Sequence, residues 1–147
     1  DVHGSRGLGD VYKRQYMICT LSKHEAEKQG YTDSLMLDYE GKIAEATGAN
    51  IFFKDKNGEL HTPIPDSFLD GITRRTVIDI AKSKNIKVHE RKIDPSELSN
   101  FVGCFLTGTA AEVTPVSCIS EHQYKVCDMI INLNESYQTL VKKKKAA

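Results

Sequence analysis

Thr107-Gly108-Thr109-Ala110-Ala111-Glu112-Val113-Thr114-Pro115-Val116 follows the apolar run Val102 to Leu106. That run is long enough for a buried strand and too short for a helix. A strand ending in Thr-Gly-Thr-Ala-Ala gathers small residues, a free hydroxyl and several uncovered backbone N–H groups at one tight corner. Clustered N–H groups form a concave nest that suits an anion, with nothing bulky to block its approach. Taken alone, the corner is equally compatible with an ordinary small-residue turn between two strands, so the rest of the chain must decide.

Two upstream segments decide it: Ile43-Ala44-Glu45-Ala46-Thr47-Gly48-Ala49-Asn50-Ile51-Phe52 and Leu69-Asp70-Gly71-Ile72-Thr73-Arg74. With Thr107 to Val116 they resemble, in order and approximate spacing, the class IV, pyridoxal-phosphate-dependent aminotransferases. The resemblance is closest to the C-terminal domain of branched-chain amino acid aminotransferases and runs from about Tyr16 to about Val141. Gly108 to Val116 points to the branched-chain enzymes within the family. D-amino acid aminotransferases and aminodeoxychorismate lyases, which look similar overall, usually differ at this corner. The resemblance implies a mixed α/β (α+β) fold: the large C-terminal domain of the fold-type IV enzymes, a curved barrel-like sheet with flanking helices. It also implies pyridoxal 5'-phosphate as cofactor, and amino group transfer between Leu, Ile or Val and 2-oxoglutarate. Amino acids and 2-oxo acids are then the small-molecule partners, and the full-length enzyme is expected to be a homo-oligomer.

Composition agrees with a soluble domain. At 147 residues the chain is long enough for one core without staples. Twenty basic and twenty acidic residues cancel, so no global charge argues for nucleic acid or a membrane surface. No apolar run has the length of a bilayer span and no signal-peptide pattern opens the sequence, so a cytoplasmic location is expected. Cys19, Cys104, Cys118 and Cys127 form no Cys-x-x-Cys pair and are read as reduced, mostly buried small hydrophobes. The five histidines show no metal-like spacing and are each expected at the surface or in a capping role; no metal site is expected.

Local patterning sets the expected elements. Asp1 to Gln15 has no helical or strand period and resembles a leader that recurs in translated sequencing reads, so residues 1–15 are set apart as non-native or disordered. Tyr16 to Gln29 reads as a helix packing Met17, Ile18, Leu21 and Ala26 inward, with Gly30 as its stop. Ser34 to Tyr39 and Lys42 to Ala44 read as strands about Gly41, and Asn57-Gly58 predicts a hairpin between Asn50–Lys54 and Glu59–Thr62. A helix is expected over Thr73–Lys84, a strand over Ile86–Arg91, and a capped helix start at Asp94-Pro95-Ser96-Glu97. Strands over Val102–Thr107 and Val113–Ile119 and a helix over Cys127–Val141 complete the domain, 16–141, before a basic tail, 142–147.

The cofactor that the resemblance implies needs a carboxylate for its ring nitrogen, donors for its phosphate and an apolar platform for its ring. Glu45 is the candidate for the first, followed by small residues that leave room for a flat ligand; an exposed strand-end glutamate is the plainer reading. Gly71-Ile72-Thr73 opens a helix, so its N–H groups stand at the positive end of the macrodipole, a ready phosphate site. The family uses the backbone N–H groups at the positions of Ile72 and Thr73, and the Thr109 hydroxyl completes the cup. Leu69 matches the residue packed on one face of the ring, and Tyr16 a tyrosine near the cofactor's phenolic oxygen. Gly108, Ala110 and Ala111 match the turn that receives the substrate carboxylate through main-chain N–H groups.

The chain departs from the family at one decisive place. In relatives the Schiff-base lysine stands five residues before the position of Tyr16, which here is Val11; Lys13 is two residues out of register. The family's N-terminal domain, with its arginine for the cofactor phosphate, has no counterpart, and Ala49 replaces an acid common in relatives. A truncated enzyme, inactive as this fragment and with no catalytic residue of its own, is therefore expected. The competing readings are a lyase or D-amino acid aminotransferase of the same fold, and a non-catalytic module whose cup binds phosphorylated ligands.

Overall fold

A computed structural model describes residues 8–145, with side chains from 17 to 142. The chain runs α1 (Leu8–Lys28), β1 (Leu35–Leu37), β2 (Ile43–Ala46), β3 (Asn50–Lys54), β4 (Leu60–Thr62), α2 (Ile72–Ser83) and β5 (Val88–Glu90). A 3₁₀ helix (Pro95–Asn100), β6 (Gly103–Gly108), β7 (Glu112–Pro115), β8 (Cys118–Ile119), β9 (His122–Gln123) and α3 (Asp128–Lys145) follow. The main sheet has the order β5-β4-β3-β6-β7, and β1-β2 and β8-β9 pair separately. The mixed α/β fold with flanking helices is the class expected from the sequence.

Asn57-Gly58 makes the hairpin that starts the main sheet. Gly58 takes φ 83°, which a side chain would disfavour, and the Asp55 carboxylate accepts the N–H groups of Asn57 and Glu59 at 2.9 and 2.8 Å. β3 then pairs antiparallel with β6 from Asn50↔Thr107 to Lys54↔Gly103. From β4 the chain crosses over through α2 and returns as β5, parallel to β4.

Both faces of this sheet are covered, which explains why Ile51, Phe52 and Phe53 are apolar in unbroken succession. On one face Phe52, Leu60 and Phe105 pack with Val77, Ile78 and Ala81 of α2 and with Ile130 and Leu133 of α3. The Phe52 and Phe105 rings stack with centroids 4.9 Å apart. On the other face Ile51, Phe53 and Cys104 meet Ile43, Ile93, Leu98, Phe101 and Tyr124.

Several expectations require correction. Helix α1 begins at Leu8, inside the segment read as lacking a helical period, and Met17, Ile18 and Leu21 are exposed rather than packed inward. No other described element covers that side of α1. Asp94 does cap a helix start, with the full reciprocal capping box to Glu97, but the six residues that follow form 3₁₀ rather than α structure. The strand expected over Val113–Ile119 ends at Pro115, on the sheet edge, with one further ladder bond from Val116 N–H to the Cys104 carbonyl at 2.9 Å, and the chain re-pairs as β8-β9 around Ser120 at φ 50°. Lys142 to Lys145 belong to α3 rather than to a tail. All four cysteines are free, but only Cys104 is buried.

The largest fully buried side chain is charged. Arg74, in the first turns of α2, donates to Asp70 Oδ1 at 2.8 Å, to Glu90 Oε2 of β5 at 2.8 Å and to the Pro63 carbonyl at 2.9 Å. Truncating Arg74 empties its buried volume and leaves the Pro63 carbonyl unpaired, while Asp70 and Glu90 are exposed enough to regain water; large-to-small changes at buried positions cost about 2–5 kcal/mol. Arg74→Ala is expected to lower stability by about that amount, read as a fall in the urea midpoint with an unchanged slope.

Candidate functional site

A cleft of about 520 Å³ opens where β2, the start of β3 and the end of β6 meet the loop leading into α2. Glu45 in β2 and Asn50 in β3 form one wall; Thr107, Gly108 and Thr109 form another; Leu69 and Gly71 close the rim. Close approach is built in at two glycines. A Cβ on Gly108 would come within 3.3 Å of the Gly48 carbonyl, and one on Gly71 within 2.4 Å of Asn50 Oδ1.

Asn50 joins the parts. Its amide nitrogen donates to Glu45 Oε2 at 3.2 Å and to the Leu69 carbonyl at 2.8 Å, while its Oδ1 accepts the Gly71 N–H at 3.2 Å. One side chain thus fixes the carboxyl, the rim loop and the residue before α2. The sequence alone assigns Asn50 no role. The available signal was a carboxamide opening the strand Asn50-Ile51-Phe52-Phe53, where polar residues are disfavoured.

The electrostatics are unbalanced. Burial pushes the Glu45 carboxyl up to about 7, with no cation among the described side chains beside it to hold the charge. Thr107 Oγ1 is buried without a hydrogen-bond partner. Gly71 precedes helix α2 with no side chain of its own to cap it and no acid lies in the first turn, so the N–H groups of Ile72 and Thr73 have no side-chain acceptor among the described residues.

The structure brings together only part of the set read from the sequence. Glu45, Leu69, Gly108 and Thr109 line the cleft. Glu45 lies within β2, half-buried, not at an exposed strand end. The side chains of Ile72 and Thr73 do not line it: Ile72 is 77% exposed, and the buried Thr73 hydroxyl lies 3.4 Å from that of Tyr137. Both residues adjoin the cleft through the backbone after Gly71. Ala110 and Ala111 form the turn beyond Thr109, outside the lining. The Tyr16 side chain and Val11 lie outside the described residues' side chains.

A carboxyl, an orphaned hydroxyl and an uncapped helix start converging on one cleft define an α/β domain suited to a polar ligand with an anionic end. Comparison with known proteins identifies it further: the family model described as amino-transferase class IV matches residues 8–119, and the chain belongs to that family. A probable branched-chain-amino-acid aminotransferase of Rickettsia felis is 50% identical over 113 residues, 76% of this chain and 38% of that protein. The branched-chain aminotransferase of Thermoproteus uzoniensis, solved with norvaline, superposes with TM-score 0.81 at 37% identity, covering 86% of this chain and 42% of that one. The enzyme of Thermobaculum terrenum in its PLP form gives the same score, identity and coverages. The chain spans less than half the length of the curated relatives it matches.

The raised Glu45 carboxyl has a consequence for stability. A carboxyl that holds its proton more tightly folded than unfolded stabilises the fold below the ordinary glutamate range and loses that contribution as pH rises toward about 7. Wild-type stability is therefore expected to fall relative to Glu45→Gln between pH 4.5 and 7 and to run parallel to it above, measured by urea unfolding across that range.

Proposed function

We propose that this chain is the cofactor-holding half of a branched-chain amino acid aminotransferase that uses pyridoxal 5'-phosphate. The observation that carries the reading is the Glu45 carboxyl, half-buried at the cleft wall with an amide neighbour and no cation among the described side chains. Opposite a protonated ring nitrogen, Glu45 would be ionised and would hold that positive charge. When bound, the cofactor serves as an electron sink for the substrate's α-carbon.

The chain's own residues then have separable tasks. Glu45 keeps the ring nitrogen protonated, and Asn50 holds Glu45 in place. The uncapped N–H groups at Ile72 and Thr73, with the Thr109 hydroxyl, receive the phosphate; this is the anion site of a helix start combined with a nest. Leu69 would supply an apolar face, and the family resemblance implies the Tyr16 hydroxyl as a partner for the phenolic oxygen. Gly108, Ala110 and Ala111 present main-chain N–H groups to the substrate carboxylate, a role that exposed backbone at a tight turn can fill. Ile18, Leu37 and Leu69, all large and more than half exposed or close to it, ring the cleft and suit a covering surface from the rest of the enzyme and from a second subunit. Four free cysteines suit a reducing compartment such as the cytoplasm.

The test is expression of the gene extended upstream of Tyr16, assayed with leucine, 2-oxoglutarate and added cofactor. Glutamate is expected to form, and a lysine is expected five residues before Tyr16 in place of Val11. Turnover of a D-amino acid or of aminodeoxychorismate, with none of leucine, would overturn the branched-chain reading. In that enzyme Glu45→Gln is expected to lower turnover at saturating cofactor by on the order of 10²–10³, since an amide cannot stabilise a ring cation. Thr109→Val is expected instead to weaken cofactor retention, by about 1.5–3 kcal/mol for one hydrogen bond to a charged group. Cofactor affinity and turnover measured on both variants separate the two roles.

A further inference from the structure

A second cluster of chemistry-bearing side chains lies away from the cleft, at the β4–β5 edge of the main sheet. Glu59 and His61 sit two positions apart and share one face of the strand, while Leu60 between them enters the core. The parallel register sets His89 of β5 directly beside His61 of β4. Their rings stack with centroids 4.7 Å apart. One ligand atom from each of Glu59, His61 and His89 lies within 4.8 Å of the other two. His89 Nε2 is already 2.6 Å from Glu59 Oε2.

His61 is the informative member. Its side chain is only 12% exposed, and its Nε2 is buried with no hydrogen-bond partner. Asp55 Oδ2 stands 3.5 Å from that nitrogen, outside hydrogen-bond geometry. A buried, unpartnered ring nitrogen beside the Asp55 carboxylate, on an imidazole stacked with that of His89 and clustered with Glu59, has the surroundings of a metal ligand. Burial lowers the His61 pKa, which keeps the ring in the neutral form that coordinates. We propose that Glu59, His61 and His89 form a site for a divalent transition-metal ion of the zinc class, with Asp55 at hand as a further oxygen ligand. Two imidazoles and a carboxylate suit zinc, cobalt or nickel and do not suit magnesium or calcium, which take oxygen ligands.

The neighbours define what binding must displace. Lys87 Nζ lies 3.3 Å from Glu59 Oε1, and Arg91 Nε donates to His61 Nδ1 at 3.1 Å while its terminal nitrogens hold Glu97. Accepting from Arg91 places the proton of the neutral His61 ring on Nε2. A metal bound at Nε2 moves that proton to Nδ1, so Arg91 Nε must turn away. The metal therefore competes with one hydrogen bond and with two nearby cations, and removing Arg91 tightens the site. The Glu59–His89 contact must open to about 3.3 Å to admit an ion at ordinary zinc–ligand distances. The site is independent of the cleft: His61 pairs with Phe53, three positions along β3 from Asn50.

The test is calorimetric titration of the whole chain with zinc chloride at pH 7.5, repeated on His89→Ala, Glu59→Gln and Arg91→Ala. Wild type is expected to bind one ion per chain. His89→Ala and Glu59→Gln should each weaken binding by more than about tenfold, because each removes one of three ligands. Arg91→Ala should strengthen it, and excess magnesium should not compete. Cobalt in place of zinc is expected to give the visible bands of a low-coordinate imidazole site, absent from His89→Ala. Both half-exposed positions accept these changes without entering the core, and circular dichroism checks the fold. Absence of zinc binding to wild type overturns the proposal. So does binding that both ligand variants leave unchanged, which would place the ion on other histidines or thiols.

Discussion

Arg74 is the constraint on which the cleft depends. The loop from Pro63 to Gly71 has no strand or helix of its own, so something must hold it against the sheet. Arg74 does so from inside α2: it grips the Pro63 carbonyl at one end of the loop and Asp70 at the other, and it reaches β5 through Glu90. The guanidinium suits this because its donors fan out in one plane and can serve three acceptors at once. Burying that charge is tolerable only with all three in place. Leu69 and Gly71 owe their positions to this clamp, and so does the point where α2 begins.

Asn50 completes the attachment from the opposite side. Arg74 holds the loop to the helix and the β5 edge, and Asn50 holds it to β3 and to Glu45. The two networks meet at Gly71, where a side chain would collide with Asn50 Oδ1. Carboxyl, rim and helix start are thereby fixed relative to one another before any ligand arrives, which is the preorganisation that electrostatic catalysis requires.

What the sequence revealed depended on how local each feature is. The Asn57-Gly58 hairpin, the Asp94 cap and the apolar strands Ile51–Phe53 and Gly103–Leu106 follow from short-range rules and were legible. The three motifs carried the class IV family, and Glu45, Leu69, Gly108 and Thr109 do line one cleft. The roles of Asn50 and Arg74 were not legible, because each depends on partners 16 to 21 residues away in sequence. The His61–His89 pair was missed for the same reason. Sequence spacing shows no metal pattern, and only the parallel β4–β5 register brings the rings together. The boundaries of α1 failed differently: its apolar residues have helical spacing, but the described domain gives them nothing to pack against.

The cleft also carries a cost that the rest of the fold must offset. An unpaired buried hydroxyl at Thr107 forgoes about 1–3 kcal/mol, and Glu45 is held where its charged form is disfavoured. Apolar replacements at both positions would suit a protein selected for stability alone. The sheet can carry the deficit because both its faces are buried around Phe52, Phe53 and Phe105. A ligand that satisfies Glu45, the first turn of α2 and the Thr109 corner recovers part of that deficit on binding. Occupancy and fold stability are then linked, since whatever binds the folded state alone stabilises it by mass action. That linkage makes the polar frustration of the cleft informative about function: the groups left unsatisfied are those a ligand with a basic ring nitrogen and an anionic tail would complete.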